Sequence, residues 1–225
     1  MEVHRKIPHF ICRIQPYDPV EWSGIYIEEN MGLTPAFDIV ALAASAGGLT
    51  ALGEILAQLP PEFPAAVVVV QHLDPRHRSL MSEILARRTR LAVKQAEGGE
   101  PLHPGTVYIA PPDYHMLVNP DRTISLTQSE LVHFVRPSAD LLFESVAGSY
   151  KERSIAVVLT GTGSDGSMGV QAIKNMGGTV IAQDEVTSEF YGMPQAAIKT
   201  GSVDFILGLD EIASALVTLV MKGEV

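Results

Sequence analysis

The stretch Asp38–Leu52, DIVALAASAGGLTAL, decides the fold class because its periodicity changes partway along. The first part is a continuous apolar run, which is typical of a strand buried on both faces. Ser45 and two glycines follow, and apolar residues then recur at helical spacing. A strand, a short turn and a helix form the first unit of an α/β sheet. Ser45 has three interpretations here: a helix N-cap, a nucleophile, or part of a turn that cradles phosphate.

The chain from Phe37 onwards continues to alternate between predicted strands and helices, which indicates a largely parallel sheet covered on both sides. The predicted strands are Asp38–Ala44, Ala66–Gln71, Ala92–Ala96, Thr106–Ala110, Ile155–Leu159, Thr179–Ala182 and Asp204–Leu207. The predicted helices are Leu49–Gln58, Leu80–Arg88, Ser138–Ser149, Met168–Met176, Pro194–Lys199 and Leu209–Lys222. An Asn-Pro-Asp turn inside His115–Leu126 predicts an inserted antiparallel hairpin.

Residues 1–36 differ from the rest of the chain. They show no sustained periodicity and contain four of the 15 prolines and the only tryptophan. We interpret them as an N-terminal extension and residues 37–225 as one domain. The extension has no apolar core of a signal peptide, and no apolar run approaches the ~20 residues of a membrane helix.

Charge and cysteine content restrict the class of protein further. The net charge of −10 disfavours binding to a nucleic-acid backbone. Cys12 is the only cysteine, so the chain has no intramolecular disulfide, which suits a reducing compartment. We expect a cytoplasmic protein with no membrane insertion.

Three polar residues follow predicted strands, at the edge where α/β sheets carry their functional crevice. They are Ser45, His72 and Asp165, the residue types of a nucleophile, its base and the acid that orients the base. The backbone N–H groups of Ala46 and Gly47, before the predicted helix, could face a developing oxyanion.

The phosphate-binding interpretation of Ser45 is the weakest of the three. The turn lacks the G-x-G-x-x-G spacing, and the second strand ends in Gln71-His72 where a dinucleotide site has an acid. The cap and nucleophile interpretations both stay open, because a single sequence does not show which strand ends are close in space.

Six ordered blocks of the sequence, together spanning Phe37 to the C-terminus, resemble the catalytic domain of the chemotaxis protein-glutamate methylesterases, the CheB family. The blocks are ALAASAGGLTAL, VVVVQHLDP, HPGTVYIAPPDYHMLV, RPSADLLFESVA, VVLTGTGSDGSMGVQAIKNMGGTVIAQDE and FYGMPQAAIKTGSVD. The resemblance implies a doubly wound α/β domain without a cofactor. It implies hydrolysis of glutamyl methyl esters, releasing methanol, and in many members deamidation of receptor glutamines.

The resemblance also implies roles for particular residues. Ser45 matches the nucleophile, His72 the general base and acid, and Asp165 the orienting carboxylate, while the backbone N–H of Thr162 matches the oxyanion site. His115 and Met193 match blocks near the active site, where each has a pocket role or a plain packing role.

The acidic pair Asp184 and Glu185 has more than one interpretation, and the remaining histidines have no predicted functional role. Asp184 and Glu185 follow a strand and either tune the field of the site, bind the receptor, or form a capping, solvated acidic pair. His77, His103 and His133 are expected in exposed loops, and His4 and His9 belong to the extension. No histidine or cysteine spacing predicts a metal site.

Partners and departures from the family follow from the same resemblance. The expected partners are methylated cytoplasmic helices of chemoreceptors and a receptor methyltransferase, and the alternative function is a non-catalytic module that binds either of them.

Ala46 stands where the family usually has Thr, and Thr162 where it usually has Met. Family members typically carry an inhibitory receiver domain for which the extension is too short, so we expect constitutive activity.

Overall fold

The main sheet is built around its most buried strand. In the computed structural model, which describes residues 35–72, 79–132 and 134–222, strand β1 is Ile39–Ala44, and all of its residues are buried. The other strands of this sheet are β2 (Ala66–Gln71), β3 (Ala92–Gln95), β4 (Thr106–Ile109), β7 (Ser154–Val158), β8 (Thr179–Gln183) and β9 (Phe205–Leu207). Continuous apolar runs form β1, β2 and β7 because both faces of the sheet are covered.

The seven strands lie in the order β3-β4-β2-β1-β7-β8-β9, and each described pairing is parallel. From β1 the chain builds one half of the sheet with β2 to β4 and then crosses back to build the other half with β7 to β9. The reversal of strand order at β1 is the topological switch point where α/β proteins place their sites.

Helices cover the two faces of the sheet in separate layers. They are α1 (Gly48–Gln58), α2 (Met81–Ala86), α3 (Ala139–Tyr150), α4 (Ser167–Asn175), α5 (Gly192–Lys199) and α6 (Leu209–Lys222). Apolar residues of α1, α2 and α6 share one core cluster with alternate strand residues such as Val40 and Leu42. Those of α3, α4 and α5 share the other cluster with Ile39 and Ala41.

An antiparallel hairpin of β5 (His115–Val118) and β6 (Ile124–Thr127) adds to the second layer. Its buried residues Met116, Val118 and Ile124 join the core cluster of α3. The hairpin therefore lies against the helix whose first turn, described below, holds a residue of the site.

The predicted fold class is confirmed: a doubly wound parallel sheet with helices on both faces and an inserted hairpin. The differences lie at element ends, where α2 is shorter than predicted and a 3₁₀ turn at Lys151–Arg153 was not predicted. Residues 35–225 form one compact unit, and the predicted extension lies outside the described residues except for its last two positions. Within the described part of the chain, no helix is long and apolar enough to cross a membrane.

Candidate active site

Three loops come together at the carboxyl edge of the sheet because β1 lies between β2 and β7. Ser45 follows β1, His72 follows β2, and Asp165 lies in the loop after β7. The Ser45 N–H donates to the carbonyl of Thr160 at 3.0 Å, and the His72 N–H donates to the carbonyl of Ala44 at 3.1 Å. These bonds continue the strand pairing by one residue on each side of β1, which brings the three loops to one edge.

The turn that carries Ser45 settles one of the open interpretations. Helix α1 begins at Gly48, and its N-cap is Gly47, which has a φ of 77° and makes no side-chain capping bond. A left-handed φ of this kind favours glycine. The interpretation of Ser45 as the helix N-cap is therefore wrong, because the chain needs two more residues of turn before α1 begins.

His72 and Asp165 form a direct side-chain contact although 93 residues separate them in the chain. His72 Nε2 lies 2.8 Å from Asp165 Oδ2, with side-chain exposures of 14% and 4%. Because an ionised carboxylate only accepts hydrogen bonds, this contact places the imidazole proton on Nε2. The other ring nitrogen, Nδ1, is then the basic one.

The N-terminus of α3 surrounds the carboxylate of Asp165. Ser138 Oγ donates to Oδ1 at 2.8 Å, the Ala139 N–H donates to Oδ2 at 2.6 Å, and the Asp140 N–H donates to Oδ1 at 3.2 Å. Burial opposes ionisation, but the bonds from His72, Ala139 and Ser138 outweigh it and hold the pKa of Asp165 below its ordinary value. The carboxylate is thus kept charged in a buried position.

Helix α3 also binds the N-terminus of α4, the helix that follows Asp165. Asp140, in the first turn of α3, accepts hydrogen bonds through Oδ1 from the N–H groups of Met168 at 2.9 Å and Gly169 at 2.8 Å. The N-terminus of α3 is therefore bound by Asp165, from the loop before α4, and the N-terminus of α4 by Asp140 of α3, so the two helices fix the loop that carries Asp165. This reciprocal capping was not predicted, since a helix carboxylate and its distant partner give no local signal.

His115 lies behind this arrangement rather than in the open site. It is fully buried, its Nδ1 accepts the Ser138 N–H at 3.1 Å, and its Nε2 donates to the Glu130 carbonyl at 3.0 Å. Burial is the main cause that lowers the pKa of His115, and the nearby Arg136 adds to it. Complete burial favours the packing role over the pocket role for this residue.

A second loop supports the segment after β7. The Gly161 N–H donates to the Phe190 carbonyl at 2.8 Å, and the Met193 N–H donates to the Gly161 carbonyl at 2.9 Å. A Cβ on Gly161 would lie 2.3 Å from Met193 Sδ and 2.8 Å from Ser45 Cβ. Met193 is 1% exposed, so it packs beside the nucleophile turn within the core.

The two predicted backbone donors each follow a residue of this contact, Ala46 after Ser45 and Thr162 after Gly161. Thr162 is exposed, next to Gly161, whereas Ala46 is half-buried and its carbonyl accepts from Thr160 Oγ1 at 3.0 Å. The structure places both residues at the carboxyl edge, in the loops after β7 and β1. Their convergence on one oxyanion stays a prediction.

Two glutamines at strand ends were missed by the sequence reasoning. Gln71, the last residue of β2, donates through Nε2 to the carbonyl of Ser45 at 2.7 Å and to that of His72 at 3.1 Å. Gln183, the last residue of β8, accepts the Thr160 N–H at 2.8 Å. The shared position of the two glutamines, at the end of an apolar strand, is the signal that could have found them.

In the acidic pair after β8, Asp184 has a structural role and Glu185 faces solvent. Asp184 Oδ1 accepts from the Thr187 N–H at 2.9 Å and from its hydroxyl at 2.6 Å, and Glu185 is exposed. These contacts match the capping and solvated alternative predicted for the pair.

A cavity of about 430 Å³ opens beside Ser45 and Gln71. Much of its wall is apolar and comes from α1, α2 and the residues just before α2: Leu49, Leu80, Met81 and Ile84. An uncharged side chain of a few carbon atoms suits such a wall better than a charged one does.

In the described ranges, no group of three or more His, Cys, Asp or Glu residues is arranged to hold a metal ion. His103 is exposed, as predicted. The remaining histidines expected in loops or in the extension lie outside the described residues: His4, His9, His77 and His133.

Comparisons with known proteins agree on one family. The family model of the CheB methylesterases matches residues 40–216. A relative from Leptospira interrogans is 40% identical over 183 residues, which cover 81% of this chain and 95% of that protein. The protein-glutamate methylesterase/protein-glutamine glutaminase of Moorella thermoacetica is 40% identical over 193 residues, covering 84% of this chain and 46% of its own.

A solved structure gives the same result in three dimensions. The catalytic domain of the CheB methylesterase of Thermotoga maritima matches with a TM-score of 0.79 at 40% identity. The match covers 82% of this chain and 99% of that domain.

Proposed function

Since the chain belongs to the CheB methylesterase family, we propose that it is a serine hydrolase that removes methyl groups from glutamyl methyl esters of chemoreceptors and also deamidates receptor glutamines. The names of the relatives carry both activities, methylesterase and glutaminase. The products would be glutamate with methanol or with ammonia.

The observation that carries the proposal is the part-buried contact between His72 Nε2 and Asp165 Oδ2 at 2.8 Å, which joins the loops after β2 and β7, the two strands that flank β1 and its Ser45. A carboxylate bound to one ring nitrogen of a histidine fixes the tautomer in which the other nitrogen accepts a proton. We expect the Ser45 hydroxyl to lie within about 4 Å of His72 Nδ1, allowing for the looser geometry of an enzyme without substrate.

In the proposed acylation, Ser45 Oγ attacks the γ-carbonyl carbon of the substrate while His72 Nδ1 takes the hydroxyl proton. The carbonyl π bond breaks, and its electron pair stays on the oxygen, which faces the backbone N–H groups of Ala46 and Thr162. The oxyanion then collapses, the bond to the leaving group breaks, and His72 gives its proton to methoxide or to the amide nitrogen. Asp165 stabilises the imidazolium throughout and stays ionised.

Deacylation repeats these steps with water. His72 takes one proton of the water as its oxygen attacks the acyl carbon, and it returns that proton to Ser45 Oγ when the ester bond to the enzyme breaks. The released side chain is a glutamate γ-carboxyl group, which ionises in solution. No cofactor enters this sequence of steps.

Substrate and location follow from the same proposal. The substrate side chain, a methyl ester or a primary amide, is uncharged and suits the apolar cavity beside Ser45. The partners would be the cytoplasmic helices of methylated receptors and the methyltransferase that modifies them, so the enzyme would act in the cytoplasm. A non-catalytic binding module would need neither the ionised Asp165 nor its contact with His72.

The experiment that tests the proposal is release of methanol from receptors carrying labelled methyl groups. Wild-type protein should release methanol, and Ser45→Ala should not. Ser154→Ala is the matched control, because Ser154 is a fully buried serine at the opposite end of the sheet. Equal release by wild type and Ser45→Ala would overturn the proposed mechanism.

A further inference from the structure

The side chain of Gln71 joins the nucleophile turn to the histidine loop. It is 5% exposed, and its Nε2 group donates one hydrogen bond to the Ser45 carbonyl at 2.7 Å and one to the His72 carbonyl at 3.1 Å. The backbone pairing of β1 and β2 ends at Ala44 and Gln71. Both carbonyls therefore lie beyond the last strand pair, and the amide of Gln71 bridges them.

The orientation of this amide is fixed by its surroundings. A flipped amide would point its oxygen at two carbonyl oxygens, which repel it, so only the NH₂ group can occupy that side. Oε1 then faces Gly48, where a Cβ would lie 2.1 Å away. Only glycine leaves room for the oxygen at that position.

The side-chain oxygen of Gln71, Oε1, gains no hydrogen bond from the described part of the chain in its buried position. Among the described residues it has no hydrogen-bond partner, although it is shielded from solvent. A buried acceptor without a partner is unfavourable compared with an apolar side chain of the same shape. An amide at this position is therefore explained by what its NH₂ group does.

We propose that Gln71 is a positioning residue for the proposed reaction, acting through the backbone carbonyls of Ser45 and His72 to fix the nucleophile relative to its base. The inference rests on the proposed function, since it assigns Gln71 a role in that chemistry. Both hydrogen bonds of Gln71 go to backbone carbonyls, so its effect on the proposed reaction is indirect. Small displacements between a nucleophile and its base reduce the rate steeply, which gives the bridge its effect.

The test measures the reactivity of Ser45 directly, with a fluorophosphonate that labels activated serines, alongside methanol release. Gln71→Met keeps the length of the side chain and removes both donors. We expect labelling at least tenfold slower than in wild type and a lower kcat with little change in KM. Ser154→Ala, which removes a buried 2.6 Å bond to the Lys151 carbonyl, is the stability control and should label at the wild-type rate.

Gln71→Glu gives a readout that a merely structural role would not move. An ionised carboxylate cannot donate to the two carbonyls, whereas its protonated form can donate to one. Burial and the two facing carbonyl oxygens raise the pKa of a carboxyl group at this position. The labelling rate of Gln71→Glu relative to wild type, both measured at the same pH, should therefore rise as the pH is lowered.

Each result of these experiments either supports or overturns the positioning role of Gln71. Wild-type labelling rates in folded Gln71→Met, or a ratio for Gln71→Glu that does not depend on pH, would overturn the role of Gln71. If neither variant folds, exchange of the Gln71 side-chain amide protons of wild type in D₂O, followed by NMR, replaces them: slow exchange supports the bridge, and rapid exchange overturns it. Failure of the fluorophosphonate to label wild-type Ser45 would instead overturn the proposed function, and this inference with it.

Discussion

The carboxylate of Asp165 has a charge that burial alone would suppress. It is 4% exposed, yet it accepts hydrogen bonds from the side chains of His72 and Ser138 and from two backbone N–H groups of α3. Bonds to charged groups are stronger than those between neutral groups, and the N-terminus of a helix favours a negative charge. Together they make the ionised form the stable one in the folded protein.

Replacing Asp165 by Asn should damage both activity and stability. The amide cannot accept the bonds from α3 without presenting its own donors to them, and it no longer fixes the proton of His72 on Nε2. We expect kcat to fall about 10³- to 10⁴-fold and the free energy of unfolding to fall by on the order of 3 kcal/mol at pH 7. Kinetics and urea denaturation measure the two effects.

The stability difference for Asp165→Asn should itself depend on pH. The folded protein holds the pKa of Asp165 below its unfolded value, so the stabilisation is fully present above about pH 4 and is lost as the pH falls through the folded-state pKa. Asp38→Asn is the control for activity. Asp38 pairs with Arg153 at the amino end of the sheet, so this substitution should leave kcat unchanged. A stability difference for Asp165→Asn that stays constant as the pH falls below about 4 would contradict this account.

Ser45 and His72 should act as one unit. Ser45→Ala and His72→Ala should each lower kcat about 10⁴-fold or more, and the double variant should be little worse than either single one. Measured rates of methanol release for the three variants test this. Losses that multiply would mean that the two residues contribute independently.

The residues of the site could be predicted from the sequence to the extent that they follow a strand. Ser45, His72 and Asp165 satisfy that rule, and the structure places all three at the edge where β1, β2 and β7 end. The position of Gln71 at the end of an apolar strand could have marked it as a candidate, but its hydrogen bond to Ser45, 26 residues away, could not be predicted. Hydrogen bonds to distant backbone leave no pattern in a sequence.

At the scale of elements, α3 and α4 are the pair on which the position of Asp165 depends. Asp165 binds the first turn of α3, and Asp140 of α3 binds the first turn of α4. The contact is close because Gly169, in α4, lies against the first turn of α3 and against Phe143. Any change that separates the helices should also displace Asp165 from His72.

Two helix glycines make this dependence testable with the same substitution. Gly169→Ala would place a Cβ 2.6 Å from Phe143 Cβ and 3.0 Å from the Asp140 carbonyl oxygen. We expect a loss of about 1–3 kcal/mol in the free energy of unfolding together with a lower kcat. Thermal denaturation and kinetics measure both quantities.

Gly148→Ala is the matched control, because Gly148 is exposed in α3 and a Cβ there would meet no atom within 4 Å. It should stabilise the protein by about 0.5–1 kcal/mol and leave kcat unchanged. If the two variants behave alike, the α3–α4 contact is not as close as described.

Elements were predicted better than their ends. Apolar runs and helical periodicity located the strands of the main sheet and the α-helices of the described residues, but α1 begins after a left-handed Gly47 and α4 after a left-handed Gly166. A glycine at either position is compatible with a strand end, a turn or a helix start. The choice is made by tertiary packing, which the local sequence does not contain.

At the scale of the whole molecule, His115 makes the free energy of unfolding depend on pH in the mildly acidic range. It is buried at the start of β5, where its Nδ1 accepts a hydrogen bond from the N-cap residue of α3, and its folded pKa lies below its ordinary value, mainly through burial. The unfolded chain therefore binds a proton more readily than the folded one, and stability rises with pH. The penalty appears as the pH falls through about 6.5, the unfolded value.

His115→Gln should flatten this dependence. The amide oxygen can accept from Ser138 and the amide nitrogen can donate to Glu130, but the side chain does not titrate. We expect the free energy of unfolding of wild type to fall by up to about 1.4 kcal/mol per pH unit more than that of the variant between pH 6.5 and 5. Parallel curves in urea denaturation at several pH values would show that His115 is not the responsible group.

The strand order also has a consequence for the time at which the site forms during synthesis. β1, α1 and β2 are consecutive in the chain, so Ser45 and His72 can approach each other early, whereas β7 pairs with β1 only after the chain has passed residue 154. Contacts between residues so far apart form slowly, because a long loop must close first. Asp165 thus joins the histidine only when the second half of the sheet is in place, and a nascent or truncated chain that ends before β7 has no orienting carboxylate for its histidine.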